Sequence, residues 1–165
     1  MSRYATIILL IFFSSCYYRQ PPQKTGLEGK PVPAFDFLSI DSTQPPLAIN
    51  NLPQNKSIVF ILFSPYCPFC RAEIKDITEN MDQMKDIQFC LITRWPRRSL
   101  RKFYKEFDLD KYPNISAGVD TANYLSSTFN IVNIPYTIIY GKNRTLSGAF
   151  LGRMDVNQIK AIASR

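Results

Sequence analysis

Residues 58–70 read IVFILFSPYCPFC, a continuous apolar run followed by two cysteines three positions apart. The run is rich in β-branched and aromatic residues, which is typical of a strand buried on both faces of a sheet. Ser64-Pro65 ends it, because a proline cannot donate a hydrogen bond to a neighbouring strand. The sequence therefore predicts a central strand over 58–63 that brings Cys67 to one end of a sheet.

An amphipathic helix is predicted directly after this strand. Its apolar positions recur every three or four residues, at Cys70, Ile74, Ile77, Met81 and Met84. Pro68 suits the first helical position, where its fixed φ helps and its missing N–H is not needed. Cys67 is thus predicted to start the helix, and Cys70 to lie one turn in on the packed side.

This spacing favours thiol–disulfide exchange, which needs an attacking thiolate and a second thiol that resolves the mixed disulfide. Residues three apart on a helix face the same way, so the two thiols can pair. The free N–H groups and the positive end of the helix favour Cys67 as the anion. We predict Cys67 as the nucleophile and Cys70 as the resolving thiol, with no cofactor beyond their own disulfide.

Two other uses of such a pair fit the chain less well. A structural zinc site needs four ligands, but the chain has no histidine, and Cys16 and Cys90 are isolated. A purely structural disulfide across three positions closes too short a loop to stabilise much. We therefore predict no metal site, and we predict that Cys90, inside the apolar run 87–92, is an inert core residue.

The first 16 residues differ from the rest of the chain. Arg3 gives a short basic start, and residues 5–13 form an apolar run too short to span a bilayer, which is typical of an export signal. Small residues then precede Cys16, which resembles a bacterial lipoprotein signal in which this cysteine is lipidated. Ordinary cleavage that leaves Cys16 as a free thiol is the alternative.

The predicted boundaries follow from composition. Residues 1–15 are a signal peptide, 16–30 are the lipidated cysteine and a flexible polar tether, and 31–165 are one domain, large enough for its own core. The protein is then anchored to a membrane in the periplasm or cell envelope. An exposed dithiol outside the cytoplasm is usually catalytic and needs an extracytoplasmic redox partner.

The remaining sequence predicts further strands and helices. Strands are predicted at 34–40, 87–92, 136–140 and 145–151, the last two joined by a turn. The segment 45–52 is either a loop or a short helical piece, and 110–118 is predicted as a turn-rich connection. Asp120 is the expected N-cap of one helix, and Asp155 of the last helix, where Gln158 would complete a capping box.

A basic segment follows the second core strand. Its charged residues are Arg94, Arg97, Arg98, Arg101, Lys102 and Lys105, interleaved with aromatic residues. Basic and aromatic residues together can indicate nucleic acid or anionic lipid. However, Leu100, Phe103 and Phe107 form an apolar helical stripe with the charges opposite, so we predict a solvated helix face and no nucleic-acid partner. If this face has a role, we expect an acidic partner or the membrane surface.

The order strand, Cys-Pro-Phe-Cys, helix, strand, helix, Ile-Pro, hairpin, helix resembles the thioredoxin fold over roughly residues 31–165. Within that fold the chain is similar to the exported TlpA/ResA-type, or redoxin-domain, thiol-disulfide oxidoreductases. The resemblance implies an α/β protein, a three-layer α/β/α sandwich with a central mixed β-sheet. It also implies exchange with protein disulfides and dithiols, and we expect a monomer.

The resemblance assigns roles to particular residues. Glu73 falls on an acidic residue thought to assist proton transfer, and Ile134-Pro135 falls on the cis-proline loop that pairs with the substrate backbone. Together with Pro68 and Phe69, this loop is the expected substrate-binding site. Partial burial one turn after Cys70 would raise the pKa of Glu73, whereas a carboxylate that only complements the helix dipole is the alternative.

Two positions depart from the pattern of classical thioredoxins. Ile61 replaces their buried Asp, and Pro68-Phe69 replaces the usual Gly-Pro. A thiol peroxidase of the peroxiredoxin type needs a Pro and a Thr or Ser at fixed positions before its cysteine, plus an Arg. Residues 60–66 contain Ser64, but they have no proline at the required distance. That peroxidase and a thioredoxin-fold binding module are the alternatives to an oxidoreductase.

Overall fold

The computed structural model describes residues 19–165. Its strands are β1 (Asp36–Ser39), β2 (Leu47–Ala48), β3 (Ser57–Leu62), β4 (Ile87–Thr93), β5 (Ile115–Val119), β6 (Tyr136–Tyr140) and β7 (Leu146–Leu151). Its helices are α1 (Pro68–Glu79), α2 (Arg97–Glu106), α3 (Tyr124–Thr128) and α4 (Val156–Ala163), with short 3-10 turns at Ile49–Asn51, Met81–Gln83 and Leu109–Lys111. The strands form one mixed sheet in the order β2-β1-β5-β4-β3-β6-β7.

Strand β3 lies inside the sheet, as its composition predicts. All six of its residues are buried. It pairs in parallel with β4 and antiparallel with β6, so Leu62 lies between Ile92 and Tyr136. Both edges and both faces of β3 are therefore covered, and the chain leaves it at the end where α1 begins.

The two faces of the sheet carry separate apolar clusters. One cluster joins the sheet to α1, α2 and α4 through residues such as Ile74, Leu100 and Ile159. The other joins it to α3 and the 3-10 turn at Ile49–Asn51 through Leu125 and Ile49. The arrangement is a three-layer sandwich with a mixed central sheet, and the predicted fold class is confirmed.

The prediction of a turn-rich connection at 110–118 was wrong, because β5 lies there between β4 and β1. The strand is short, and its small residues conceal the usual pattern. Gly118 shows why they are needed: a Cβ built on it would overlap the Phe37 ring and lie 2.7 Å from the Leu38 carbonyl oxygen. Close approach of β1 therefore requires glycine at this position.

Residues 20–32, most of which we expected in a flexible tether, are docked on the domain instead. Gln23 N donates to the Ala149 carbonyl at 2.8 Å, and Val32 N donates to the Arg144 carbonyl at 2.8 Å. The segment thus follows β7, and it satisfies backbone groups that the last strand of a sheet would leave unpaired. Proline content made the segment read as a linker, although prolines are compatible with the edge of a sheet.

Two helix starts differ in detail from their predictions. Asp155 caps α4, accepting from Asn157 N and Gln158 N. Gln158 does not complete a capping box, because its amide pairs with the backbone N and O of Gln20 at 2.9 and 2.7 Å. Asp120 lies four residues before α3 rather than at its N-cap, yet its carboxylate accepts from the first two helical N–H groups.

The predicted signal peptide 1–15 and the predicted lipidation site Cys16 lie outside the described residues. Within residues 19–165, no helix combines the length and apolar character needed to cross a membrane.

Candidate functional site

The two cysteines lie where the end of β3 meets the start of α1. Cys67 is the N-cap of α1, and Pro68 occupies the first helical turn. The Cys67 sulfur accepts a hydrogen bond from the Cys70 backbone N at 3.4 Å. Cys67 is partly exposed, whereas Cys70 is fully buried. Both cysteines carry free thiols in this structure, so the predicted pair is adjacent and only its first sulfur faces solvent.

The two thiols have different electrostatic surroundings. The helix N-terminus directs a backbone N–H and the positive end of the α1 dipole at the Cys67 sulfur, which favours a negative charge there. Burial raises the pKa of the Cys70 thiol, and its hydrogen bond with Cys67 raises that pKa further. Cys70 is therefore held as a thiol, and a reaction that needs its thiolate needs a proton acceptor.

Glu73 is completely buried one turn after Cys70. The Thr137 hydroxyl donates to Glu73 Oε1 at 2.9 Å, while Oε2 has no hydrogen-bond partner among the described residues. Burial raises the pKa of this carboxyl from 4.5 to about 8, against the lowering effect of the Thr137 hydrogen bond. The carboxyl therefore exchanges its proton in the neutral to mildly alkaline range, and it is not an exposed carboxylate that complements the helix dipole.

The Ile134-Pro135 segment lies at the same end of the sheet as the dithiol. The peptide bond between these residues is cis. Pro135 immediately precedes β6, whose first residue Tyr136 pairs with Leu62 at the end of β3. Pro135 is buried, and its carbonyl accepts from Gly152 N at 2.8 Å, whereas Ile134 is partly exposed.

Apolar side chains exposed to solvent are concentrated at this end of the molecule. Among residues 19–165, the exposed large hydrophobic side chains are Tyr66, Phe69, Trp95, Val132 and Ile134. All five follow the carboxyl ends of β3 and β4 or precede β6, so they surround the approach to Cys67. We call these five residues the apolar rim. Exposed apolar groups gathered in one place indicate a binding surface.

A cavity of about 70 Å³ lies within this surface. Arg94, Trp95, Val132 and Ile134 are among the residues that line it. The edge of the Trp95 ring packs on Tyr66, with 5.0 Å between ring centroids. The cavity therefore connects the start of α2 with the cis-proline loop.

Sequence reasoning named the cysteines, Glu73 and the Ile-Pro segment as candidate site residues, but it did not name other residues that lie beside them. Trp95 and Val132 belong to the apolar rim, and their signal was available in part, since Trp95 directly follows the end of a core strand. Thr137 is the hydrogen-bond partner of Glu73. In the sequence it stands out only as a threonine between the apolar and aromatic residues of 136–140. Neither sequence feature indicates which distant residue the side chain contacts in the folded protein.

Cys90 lies fully buried in β4, and burial raises the pKa of its thiol. Its prediction as a core residue is confirmed. Within residues 19–165, no group of three or more His, Cys, Asp and Glu side chains is arranged to hold a metal ion.

Comparison with solved structures shows the thioredoxin-like fold. A thiol:disulfide interchange protein of the thioredoxin family from Chlorobium tepidum TLS superposes with a TM-score of 0.67 at 20% identity, covering 82% of this chain and 94% of that one. A pneumococcal exposed lipoprotein thioredoxin, from Streptococcus pneumoniae strain TIGR4, gives 0.64 at 17% identity over 81% and 100%.

A secreted Mycobacterium tuberculosis disulfide oxidoreductase homologous to Escherichia coli DsbE gives a TM-score of 0.63 at 18% identity, covering 79% of this chain and 96% of that one. No protein-family model matches the chain, and no curated protein matches its sequence. The likeness therefore lies in the fold, at sequence identities of 20% or below for these three structures.

The buried Glu73 predicts a pH-dependent stability. Its folded-state pKa of about 8 lies above its ordinary value of 4.5. The stability that the neutral Glu73 carboxyl contributes to the folded protein is therefore fully present below pH 4.5 and is lost as the pH rises through 8. Each unit of pKa difference corresponds to about 1.4 kcal/mol. We expect the free energy of unfolding of the reduced protein to fall by several kcal/mol between pH 4.5 and pH 8.

Urea denaturation across this pH range measures the effect. Glu73→Gln should remove most of the fall, since an amide of the same shape does not titrate, and Thr137 can still donate to it. Glu106→Gln, at an exposed carboxylate paired with Arg71, should leave it unchanged. An equal fall in wild type and Glu73→Gln would contradict the assignment.

Proposed function

We propose that this protein is a thiol-disulfide oxidoreductase that exchanges disulfides with other proteins through Cys67 and Cys70. The observation that carries the proposal is the asymmetry of the pair: an accessible sulfur at a helix N-terminus and a buried thiol within the same turn. Several structurally similar proteins are disulfide oxidoreductases or thiol:disulfide interchange proteins, which supports the same chemistry.

In the reductive direction, the Cys67 thiolate attacks one sulfur of a substrate disulfide. A bond forms between Cys67 and that sulfur, the substrate disulfide breaks, and its second sulfur leaves as a thiolate. The Cys67 sulfur accepts the Cys70 backbone N–H at the N-terminus of α1, where a negative charge is favoured. Cys67 is only half-buried, so a substrate sulfur can reach it.

Cys70 completes the reaction. Its sulfur attacks Cys67, the mixed disulfide breaks, and the remaining substrate sulfur leaves as a thiolate. The protein now holds the Cys67–Cys70 disulfide, and two electrons have passed to the substrate. An extracytoplasmic dithiol of the redox partner then returns the protein to its reduced form, and the same steps in reverse describe oxidation of a substrate dithiol.

Glu73 serves as the proton acceptor for Cys70 in this proposal. The Cys70 thiol cannot attack until it loses its proton, and burial disfavours its ionisation. A buried carboxyl with a pKa near 8 lies one turn away on the same helix, and its Oε2 has no partner among residues 19–165. Such a group is suited to proton transfer near neutral pH.

Pro68, Phe69, Ile134 and Pro135 form the proposed substrate site. Phe69 is 65% exposed beside the sulfur, and Ile134 is 37% exposed in the cis-proline loop. An extended substrate segment would lie between these two side chains, with its cysteine against Cys67. The apolar rim thus favours a protein substrate over a small polar disulfide.

The protein is also proposed to act outside the cytoplasm, anchored through a lipid on Cys16. The support is the sequence pattern before Cys16 together with two structural neighbours, one a secreted disulfide oxidoreductase and one an exposed lipoprotein. A tether to the membrane would then begin only a few residues before the docked segment at Gln20.

Cysteine variants test the exchange reaction. Cys67→Ser should lower the dithiothreitol-driven reduction of insulin disulfides to the uncatalysed rate, because the nucleophile is lost. Cys70→Ser should accumulate mixed disulfides with several proteins, since nothing resolves them. Cys90→Ala is the matched control and should retain activity.

Full activity in Cys67→Ser ends the proposal, and retention of a single partner without reduction would indicate a binding module. Thiol-dependent consumption of peroxide by the reduced protein would indicate a peroxidase.

The role of Glu73 predicts a change in the pH profile of resolution. In wild type, the rate of mixed-disulfide resolution should rise through about pH 8 as the carboxyl loses its proton. Glu73→Gln should slow resolution by about 10²-fold or more, the contribution typical of a positioned base, and should move its rise to higher pH. Initial attack by Cys67 should change little. A stopped-flow measurement that finds both steps equally slowed would indicate a structural effect.

The anchor predicts a change of cell fraction. Expressed in a bacterium with the natural N-terminus, the wild-type chain should sediment with membranes and carry diacylglycerol on Cys16, detected by mass spectrometry. Cys16→Ser should be released into the soluble extracytoplasmic fraction with its oxidoreductase activity intact. A chain without lipid, cleaved at another position, would contradict lipidation while leaving the redox proposal standing.

A further inference from the structure

The basic face of α2 adjoins the dithiol. The Tyr66 hydroxyl, one residue before Cys67, hydrogen bonds with Ser99 Oγ at 3.0 Å. The Tyr66 ring also contacts Trp95, just before the helix. At the other end of α2, Arg71 pairs with Glu106. The helix therefore lies along the start of α1, and the side chains opposite its packed stripe face solvent beside the apolar rim.

The positive charges on this face are not neutralised within the domain. Arg98, Lys102 and Lys105 of α2 and Arg94, three residues before the helix, are exposed, and none of them hydrogen bonds or pairs with an acidic group among residues 19–165. By contrast, Arg101 donates to the Ile40 carbonyl, and Glu106 is already engaged by Arg71. Four cations thus remain available to a partner. We call these four residues the α2 cations.

One of the α2 cations touches the cavity of the apolar rim. Arg94 lines that cavity together with Trp95, Val132 and Ile134. A cavity of about 70 Å³ exceeds what one water molecule needs. Its walls combine apolar side chains with the polar side chains of Thr93, Asp120 and Ser126. Such a pocket suits a single apolar side chain, with a carboxylate next to it reaching the guanidinium.

Building on the proposed oxidoreductase function, we propose that the protein substrate presents an acidic segment beside its exchangeable cysteine. An apolar side chain of that segment fills the cavity between Trp95 and Ile134, and its carboxylates face the α2 cations. Complementary charge raises the rate of encounter and fixes the orientation of the segment, which speeds attack by Cys67.

A protein occupant explains the surface better than an anionic membrane does. The α2 cations adjoin the apolar rim, so a bilayer lying on both would cover the approach to Cys67. A bilayer also presents no individual side chain to fill a cavity. The chemistry of the site therefore points to an acidic polypeptide, and membrane binding is an outcome that the experiment distinguishes.

The test uses the reduced full chain and three peptides. Each peptide has one Leu beside one Cys, held as a neutral mixed disulfide with 2-mercaptoethanol, and four flanking residues that are Glu, Gln or Lys. The rate of peptide thiol release is measured at low and high salt. It is divided by the rate of the same peptide with dithiothreitol, which removes intrinsic differences in disulfide reactivity.

We expect the Glu peptide to react about tenfold faster than the Gln peptide at low ionic strength, within the range of electrostatic steering. The Lys peptide should be slowest, and the preference should shrink as salt screens the charges. In the variant R94Q/R98Q/K102Q/K105Q the preference should be lost, so that the rates with the Glu and Gln peptides become equal.

The matched control is K56Q/K85Q/K111Q/K142Q. It also removes four cations, from residues around the opposite end of the sheet, where Lys56, Lys85 and Lys111 line one cavity, and it should keep the preference for Glu. Equal rates for the Glu and Gln peptides in wild type, or equal preferences in both quadruple variants, overturn the inference alone. Failure of wild type to react with any peptide overturns the oxidoreductase proposal as well.

A vesicle-binding measurement distinguishes an acidic protein substrate from an anionic membrane as the partner of the α2 cations. If wild type binds phosphatidylglycerol vesicles through the α2 cations and shows no preference among the peptides, the surface serves a membrane, and the inference is overturned. Preference for the Glu peptide in the absence of any lipid supports it.

Discussion

The structure depends on the complete burial of β3. A strand with both edges paired and both faces covered can leave the sheet only along its own axis, so the next residues emerge at one end. Pro65 and the turn closed by the Cys67 N–H on the Ser64 carbonyl then redirect the chain into α1. The Cys67 sulfur consequently lies at a helix N-terminus, and its position is held by the core rather than by a loop.

The same burial explains the properties of the second thiol and of Glu73. Helix α1 packs on β3 with its apolar stripe, and Cys70 and Glu73 lie within that buried side. Removing a carboxylate from water disfavours its charged form, so the packing that secures α1 also raises the pKa of Glu73. Thr137 offsets only part of this effect, because one hydroxyl donor replaces a full hydration shell.

Features held by contacts between residues close in sequence were predicted, whereas features held by contacts between distant residues were not. The helix that begins at the CPFC motif, the β6–β7 hairpin and the N-cap at Asp155 each depend on residues close together in sequence, so local sequence patterns predict them. Strand β5 was missed because its short run of small residues shows no strand pattern. The need for small residues follows from the close contact between Gly118 and Phe37 of β1. Likewise Gln158 reads as half of a capping box, but its amide is used by Gln20, 138 positions away. Contacts of that kind leave no pattern in a window of sequence.

Several features that do not stabilise the fold lie near the Cys67 end of the sheet. Glu73 Oε2 is buried without a partner among residues 19–165, and five apolar side chains are exposed there. The opposite end carries ion pairs such as Lys85–Asp82 and Lys142–Asp86. Local conflicts with stability are expected mainly at functional sites. The exposed apolar side chains around Cys67 therefore argue for function at this end independently of the cysteines themselves.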